Sequence, residues 1–341
     1  MDRIRGFIRQ FAALGAAALL AAPAAQAQTT LTVSQWLPAG HPVHEVMQAW
    51  SQKVEQATQG RVKFKTLPQP VTNPPGHYNA VRDGLAEVAM TVIGYTPGRF
   101  PLSEIAELPL MGESAEANSV AFQQLAEKVP AVMAEYKDVK VLALFSHGPG
   151  IVFNTRKDIQ TLADLRGLKF RVGGGVVNEV GKLLGANTTL KPATESYELL
   201  STGVMDGVWL PWEALVTYKL DKLVRHATVF PGGLYNSTFI VLMNRRAYEA
   251  LGAADKAAID QLSGVPYARE LGRAFDRRDT EGKALAQGGG IRTSTAPAAL
   301  VREVEARTAS LGKRWADLAR SRGVSNPEQI VQDYRAQARR P

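Results

Sequence analysis

Few residues in this sequence could do covalent or metal chemistry, and their spacing argues against most of it. There is no cysteine, so a thiol nucleophile and a thiolate metal site are both excluded. Among the five histidines, His41 and His44 follow Pro38-Ala39-Gly40 at a helix start. No HExxH pattern or neighbouring carboxylate pair completes a metal site there, and both read as loop histidines. Ser146 precedes His147, yet a GxSxG nucleophile elbow needs glycine where Leu144 stands. Gly173-Gly174-Gly175 separates a strand-like from a helix-like segment, as a phosphate loop would, but it lacks GxGxxG spacing and a Lys-Ser/Thr ending. What it does signal is close backbone approach at a helix N-terminus, where N–H groups can meet an anion. Enzyme chemistry is thus unsupported, and no cofactor or metal is expected.

What the sequence does offer is a cation among aromatics. Alternation in Leu168-Lys169-Phe170-Arg171-Val172 sets Arg171 on one face of a strand, near its end. A guanidinium so placed suits bidentate capture of a carboxylate. It would serve equally as a structural arginine paired with a buried acid, and position alone does not separate the two. Trp36, Tyr95, Trp209 and Trp212 can line a pocket or pack in a core.

The elements that must hold these residues alternate in period. Val43, Val46, Met47, Trp50 and Val54 mark a helix face that ends at Gly60, and Arg61 to Leu67 alternates as a half-buried strand. Strands are expected at Val88 to Ile93, Val139 to Phe145, Leu168 to Val172, Val204 to Leu210 and Phe239 to Met243. Helices are expected around Tyr78 to Leu85, Val177 to Leu184 and Ser196 to Leu200, and from Ala253 onward with breaks at 264–266 and 288–290. Such βα alternation implies α/β sheets flanked by helices, with ligands beyond the carboxyl ends of the strands.

The chain has 341 residues and a net charge of +8, which on its face invites a polyanion. Counting relocates that charge. Residues 1–27 carry three Arg and one Asp, and residues 277–341 carry 13 Lys/Arg against 7 Asp/Glu, so +2 and +6 account for all of it. The basic tail is interleaved with acids and reads as a solvated helical surface, so nucleic acid is not an expected partner. Residues 1–27 read as a secretory signal peptide. Arg3, Arg5 and Arg9 precede an apolar run from Phe11 through Ala22, and Ala25-Gln26-Ala27 forms a small-x-small cleavage site. The mature chain is expected near Gln28, in a bacterial periplasm, without a cysteine-borne lipid.

Several ordered segments now become familiar: Thr58-Gln59-Gly60-Arg61-Val62, Val81-Arg82-Asp83-Gly84-Leu85-Ala86-Glu87-Val88-Ala89, and Tyr95-Thr96-Pro97-Gly98-Arg99-Phe100-Pro101-Leu102. To these are added Leu162-Ala163-Asp164-Leu165-Arg166-Gly167-Leu168-Lys169-Phe170-Arg171-Val172 and Gly203-Val204-Met205-Asp206-Gly207. From about Leu31 to about Asp260 the chain resembles the solute-binding subunits of tripartite ATP-independent periplasmic (TRAP) transporters. The resemblance implies a two-lobed periplasmic solute-binding protein, each lobe a sheet flanked by helices, with a ligand cleft between the lobes. Lobe I would comprise residues 28–149 with 237–276, and lobe II residues 150–236 with 277–341.

The resemblance further implies that the cleft closes on a small organic acid and presents it to an integral-membrane permease driven by an ion gradient. Arg171 becomes the expected carboxylate ligand, helped by backbone N–H groups around Gly174, between Gly173 and Val176. Trp36, Tyr95, Trp209, Trp212 and Asn236 are expected to shape the rest, with His147 and Asn236 at the two crossings. Ile151 stands where sialic-acid-type members carry a second arginine, which argues against a sialic acid. One arginine with aromatic neighbours leans toward a monocarboxylate with a ring-like body. A monomer is expected. A sensory protein docking on a membrane kinase, or a periplasmic enzyme acting on an acid, are the alternatives from other classes.

Overall fold

The computed structural model describes residues 28–340; the expected signal peptide, 1–27, lies outside the described residues. The strands are β1 (Thr29–Ser34), β2 (Val62–Thr66), β3 (Val88–Val92), β4 (Val139–Ser146), β5 (Ile151–Asn154), β6 (Lys169–Val172), β7 (Asn187–Leu190), β8 (Gly207–Leu210), β9 (His226–Val229), β10 (Thr238–Asn244) and β11 (Arg292–Thr295). The helices that position the site are α1 (Pro42–Ala57), α2 (Ala115–Lys128), α3 (Val176–Leu183), α4 (Glu213–Thr217), α5 (Val265–Gly288), α6 (Ala298–Ser321) and α7 (Pro327–Ala338).

Helix α1 shows how local sequence sets an element. Pro42 occupies the first turn, where its missing N–H costs nothing, and the Nδ1 of His41 accepts from the N–H of Val43. The apolar stripe Val43, Val46, Met47, Trp50, Val54 is buried against the first sheet. Trp50 stacks on Tyr267 at 5.2 Å and donates its Nε1–H to the Leu262 carbonyl at 3.1 Å. Truncating an aromatic so packed costs about 3–5 kcal/mol. Gln59 and Gly60, both with positive φ, then turn the chain into β2.

Two sheets result, in the order β2-β1-β3-β10-β4 and β11-β9-β5-β8-β6-β7. In the first, β1 pairs in parallel with β2 and β3, while β10 runs antiparallel between β3 and β4. In the second, β5 is the antiparallel strand, set between β8 and β9. β5 and β10 are the strands by which the chain enters each sheet from the other, at 147–150 and 230–237. Reversing them brings their N-termini to the edge where the parallel strands end, so Ser34, Val92, Ser146, Val172 and Leu210 all lead toward one crevice.

Helix α5 ties the two sheets together. Its first half buries Tyr267, Ala268, Leu271 and Phe275 in the core of the first sheet, and Ala286 near its end belongs to the core of the second. A Cβ on Gly282 would stand 2.1 Å from the Trp212 carbonyl oxygen, so only glycine permits this close approach to the start of α4. Strand Gly207–Leu210 begins later than its apolar run suggests, because Val204 is half exposed in the preceding turn. Strands β5, β7, β9 and β11 and helix α2 carry no strong period of their own. No helix among the described residues is long and apolar enough to cross a membrane.

Candidate functional site

The strand ends converge on a cavity between the two sheets. Arg171, the third residue of β6, is flanked by β7 and β8 and is only 2% exposed. Its Nε–H donates to the Lys191 carbonyl at 2.8 Å and its Nη1 to the Trp209 carbonyl at 3.5 Å. Among the described residues no carboxylate forms an ion pair with it. The buried acid that a structural arginine would need is thus not among them. Above Gly173, a Cβ would lie 3.6 Å from Ser237 Oγ and 3.9 Å from Arg171 Nη2, so glycine leaves an opening rimmed by a hydroxyl and a guanidinium. An uncompensated buried cation is costly, and an anion seated there would offset that cost while gaining charge-assisted hydrogen bonds.

Aromatic rings wall the remainder. Trp36 is fixed by its Nε1–H to the Met90 carbonyl at 2.8 Å, and its ring lies 6.0 Å from Tyr95. The Tyr95 phenol accepts the Ala193 N–H at 2.9 Å, and burial raises its pKa against the lowering charge of Arg171. Opposite stand Phe239 and Phe275, stacked at 5.6 Å. His147 lines the cavity too, but its nitrogens are committed: Nδ1 bonds the Gly148 carbonyl and Nε2 accepts from the Ser237 N–H at 3.1 Å. Burial, with Arg171 nearby, holds its pKa down at about 4, so the ring is neutral, carries its hydrogen on Nδ1, and pins the two crossings together.

At the far end the walls are Leu210, Pro211, Glu213, Tyr218 and His41. Burial pushes Glu213 up to about 7 and, with Arg278 and His44, pushes His41 down to about 3. Their 4.0 Å approach is therefore a contact of mainly neutral groups rather than an ion pair.

Glu107 joins the two sheets beside the cavity. Fully buried, its Oε1 accepts the N–H and hydroxyl of Thr238 at 3.0 and 2.8 Å, and its Oε2 accepts the N–H of Val176 at the start of α3 at 3.3 Å. The helix terminus where sequence places anion-binding N–H groups is thus filled by the protein's own carboxylate. Burial outweighs these bonds and raises Glu107 to about 7.

The structure brings Trp36, Tyr95, His147 and Arg171 together and sets the other four expected residues aside. Gly174, with φ +86, packs against Leu190 and the Gly94 backbone. Trp209 turns its ring onto Tyr235 and Phe170 in the core and lends the site only its carbonyl. Trp212 packs edge-on to Phe153. Asn236 is 1% exposed at the crossing, beside Ser237, and its amide has no hydrogen-bond partner among the described residues. Sequence reasoning missed His41 as a wall, together with Glu213, Tyr218, Ser237, Phe239 and Phe275. The ends of β8 and β10 were the available signal for three of these; Phe275 comes from mid-helix and gave none.

Comparison with known proteins agrees with this architecture. The description "Bacterial extracellular solute-binding protein, family 7" matches residues 33–308. A TRAP periplasmic solute-binding protein from Bordetella bronchiseptica, solved with bound (R)- and (S)-mandelate, is 43% identical, covering 91% of this chain and 98% of that one with a TM-score of 0.88. A marine metagenome TRAP solute-binding protein specific for aromatic acid ligands, solved with 3-hydroxybenzoate, is 33% identical over 92% of this chain and 98% of that one, with a TM-score of 0.84. A Comamonas testosteroni relative named as an outer membrane transporter protein is 30% identical over 94% of this chain and 95% of its own. With two sheets facing one crevice and a match running through both, the chain belongs to bacterial extracellular solute-binding protein family 7, the solute receptors of TRAP transporters.

Proposed function

We propose that this protein is a periplasmic receptor for a small aromatic monocarboxylate, which it captures by closing its two lobes and hands to a TRAP-type permease. The observation that carries the reading is Arg171: a buried guanidinium, held by two carbonyls, with no carboxylate paired to it among the described residues, at the mouth of an aromatic slot. One cation calls for one carboxylate, and Trp36, Tyr95, Phe239 and Phe275 favour a ring behind it. The mandelate and 3-hydroxybenzoate held by the two solved relatives are acids of this kind.

We take the moving bodies to be residues 28–149 with 237–276 and residues 150–236 with 277–326, α5 passing between them; α7, expected with the second, instead packs on α2 of the first, where Gln337 bonds Gln124 and Arg339 donates to the Leu110 carbonyl at 2.8 Å. Ligand bridging both lobes favours the closed state by its differential affinity. The receptor is monomeric, exported through cleavage of its leader near Ala27, and releases its ligand chemically unchanged. Native mass spectrometry of freshly purified protein, followed by thermal scans with aromatic acids, sugar acids and dicarboxylates, tests this. A bound aromatic acid and selective stabilisation by that class are expected; stabilisation by succinate or glucuronate alone would overturn it.

A further inference from the structure

Three residues of the cavity wall, His41, Glu213 and Tyr218, carry polar atoms that have no hydrogen-bond partner among the described residues. His41 spends Nδ1 on the Val43 N–H, which leaves the hydrogen of the neutral ring on Nε2. That Nε2 lies 4.0 Å from Glu213 Oε2, too far for a hydrogen bond, and has no other partner among the described residues. Glu213 Oε2 accepts the Thr217 hydroxyl at 2.5 Å and its backbone N–H donates to Asp279 Oδ1 at 2.7 Å, while Oε1 accepts nothing there. The hydroxyl of Tyr218 is likewise without a partner among the described residues. All three residues line the cavity and are 3%, 3% and 9% exposed. These atoms face the open cavity, where water or a ligand can pair them; once a ligand seals the cavity, each one it leaves unpaired costs about 1–3 kcal/mol.

We infer that His41, Glu213 and Tyr218 form a second subsite that reads a hydroxyl on the ligand, distal to its carboxylate, so that the solute class is a hydroxylated aromatic acid. The inference rests on the aromatic-acid reading above. The alternatives fail on charge. A second carboxylate would bury a second negative charge in a wall whose only Lys or Arg is Arg171, and a ligand ammonium would face the Nε2–H of His41, a donor. A hydroxyl accepts from Nε2–H and donates to Glu213 at once.

The electrostatics agree. The cation acting on His41 and Glu213 is Arg278, and that on Tyr95 and His147 is Arg171. Burial keeps His41 neutral and holds much of Glu213 protonated near neutrality. One end thus takes the anion and the other a neutral donor–acceptor.

Calorimetry on the full mature protein tests this with paired probes: benzoate against its three monohydroxy isomers, phenylacetate against mandelate, and isophthalate. At least one hydroxylated acid should bind about tenfold tighter than its parent. His41→Asn keeps a residue able to cap α1 but removes the Nε2–H, and Glu213→Leu removes the carboxyl; circular dichroism checks that each folds. Either variant should compress the hydroxyl preference to within about threefold. Parent acids binding as tightly as every hydroxylated one, or a preference that survives both variants, would overturn the subsite while leaving the aromatic-acid reading intact. Tight binding of isophthalate would also overturn it. If no aromatic acid binds, both readings fall.

Discussion

Arg171 and Arg320 carry the same side chain in opposite surroundings. Arg320, on the outer face of α6, is half exposed and meets two carboxylates, Asp317 at 2.9 Å and Glu328. Arg171 is buried, meets two carbonyls and is paired with no carboxylate among the described residues. In water the first charge is screened whether or not its neighbours are present. In the cavity wall the second is neither screened nor paired, so an incoming anion finds a donor that has already lost its water. The basic C-terminal helices set the net charge of the chain, but a single buried cation organises the site.

The contrast makes graded predictions. Arg171→Met should weaken binding of the cognate acid most, by about 2–5 kcal/mol, which is a rise in dissociation constant of roughly thirtyfold or more by calorimetry. Glu107→Ala comes next. It strands the Val176 and Thr238 N–H groups at the junction of the sheets, costing the closed form about 1.5–3 kcal/mol, which stopped-flow measurement should record as faster ligand release. Glu107→Gln, which keeps an acceptor, should lose less.

A smaller effect follows from pH. Burial holds Glu104, Glu107 and Glu213 at about 7, above the usual carboxyl value of 4.5, so the folded protein keeps protons that the unfolded chain loses between those values. Their contribution to stability therefore grows as pH falls from 7 toward 4.5 and is absent above 7. His41, at about 3, and His147, at about 4, work the other way below 6.5, because the unfolded chain protonates first. With Glu135 and Asp279 also raised by burial and His77 also lowered, five carboxyls outweigh three imidazoles down to 4.5. The melting temperature of the liganded protein should therefore rise modestly from pH 7.5 to 5 and fall below 4.5, with the rise reduced in Glu107→Gln. A steady decline from 7.5 to 5 would contradict this. Least of all, Arg320→Ala should leave affinity unchanged and the melting temperature within replicate scatter.

Sequence periodicity carried most strands that meet at the crevice, because β3, β4, β6 and β10 are apolar or alternating and bounded by turns; β1 was not among them. It also placed Arg171, since strand alternation fixes a side and the following glycines fix an end. Period does not tell which face of a fully buried strand looks into a cavity. β8 is buried along its whole length, so Trp209 read as a wall when its ring faces Tyr235 and only its carbonyl reaches the site. Helix N-termini gave a similar ambiguity: the glycines before α3 signalled an anion, and the position is taken by the protein's own Glu107 carboxyl. His41 and Glu213 were visible as residues, but that they meet at 4.0 Å depends on how α1, packed on the first sheet, and α4, packed on the second, come together.

The proposed role of Arg171 as carboxylate ligand makes affinity depend on the ligand's charge through this one side chain. The most direct test is a double-mutant cycle in which wild type and Arg171→Met are each titrated with benzoate and with benzamide, its uncharged isostere. Wild type should prefer the carboxylate by about a hundredfold and the variant by no more than about threefold. A variant that folds and keeps the wild-type preference would contradict it.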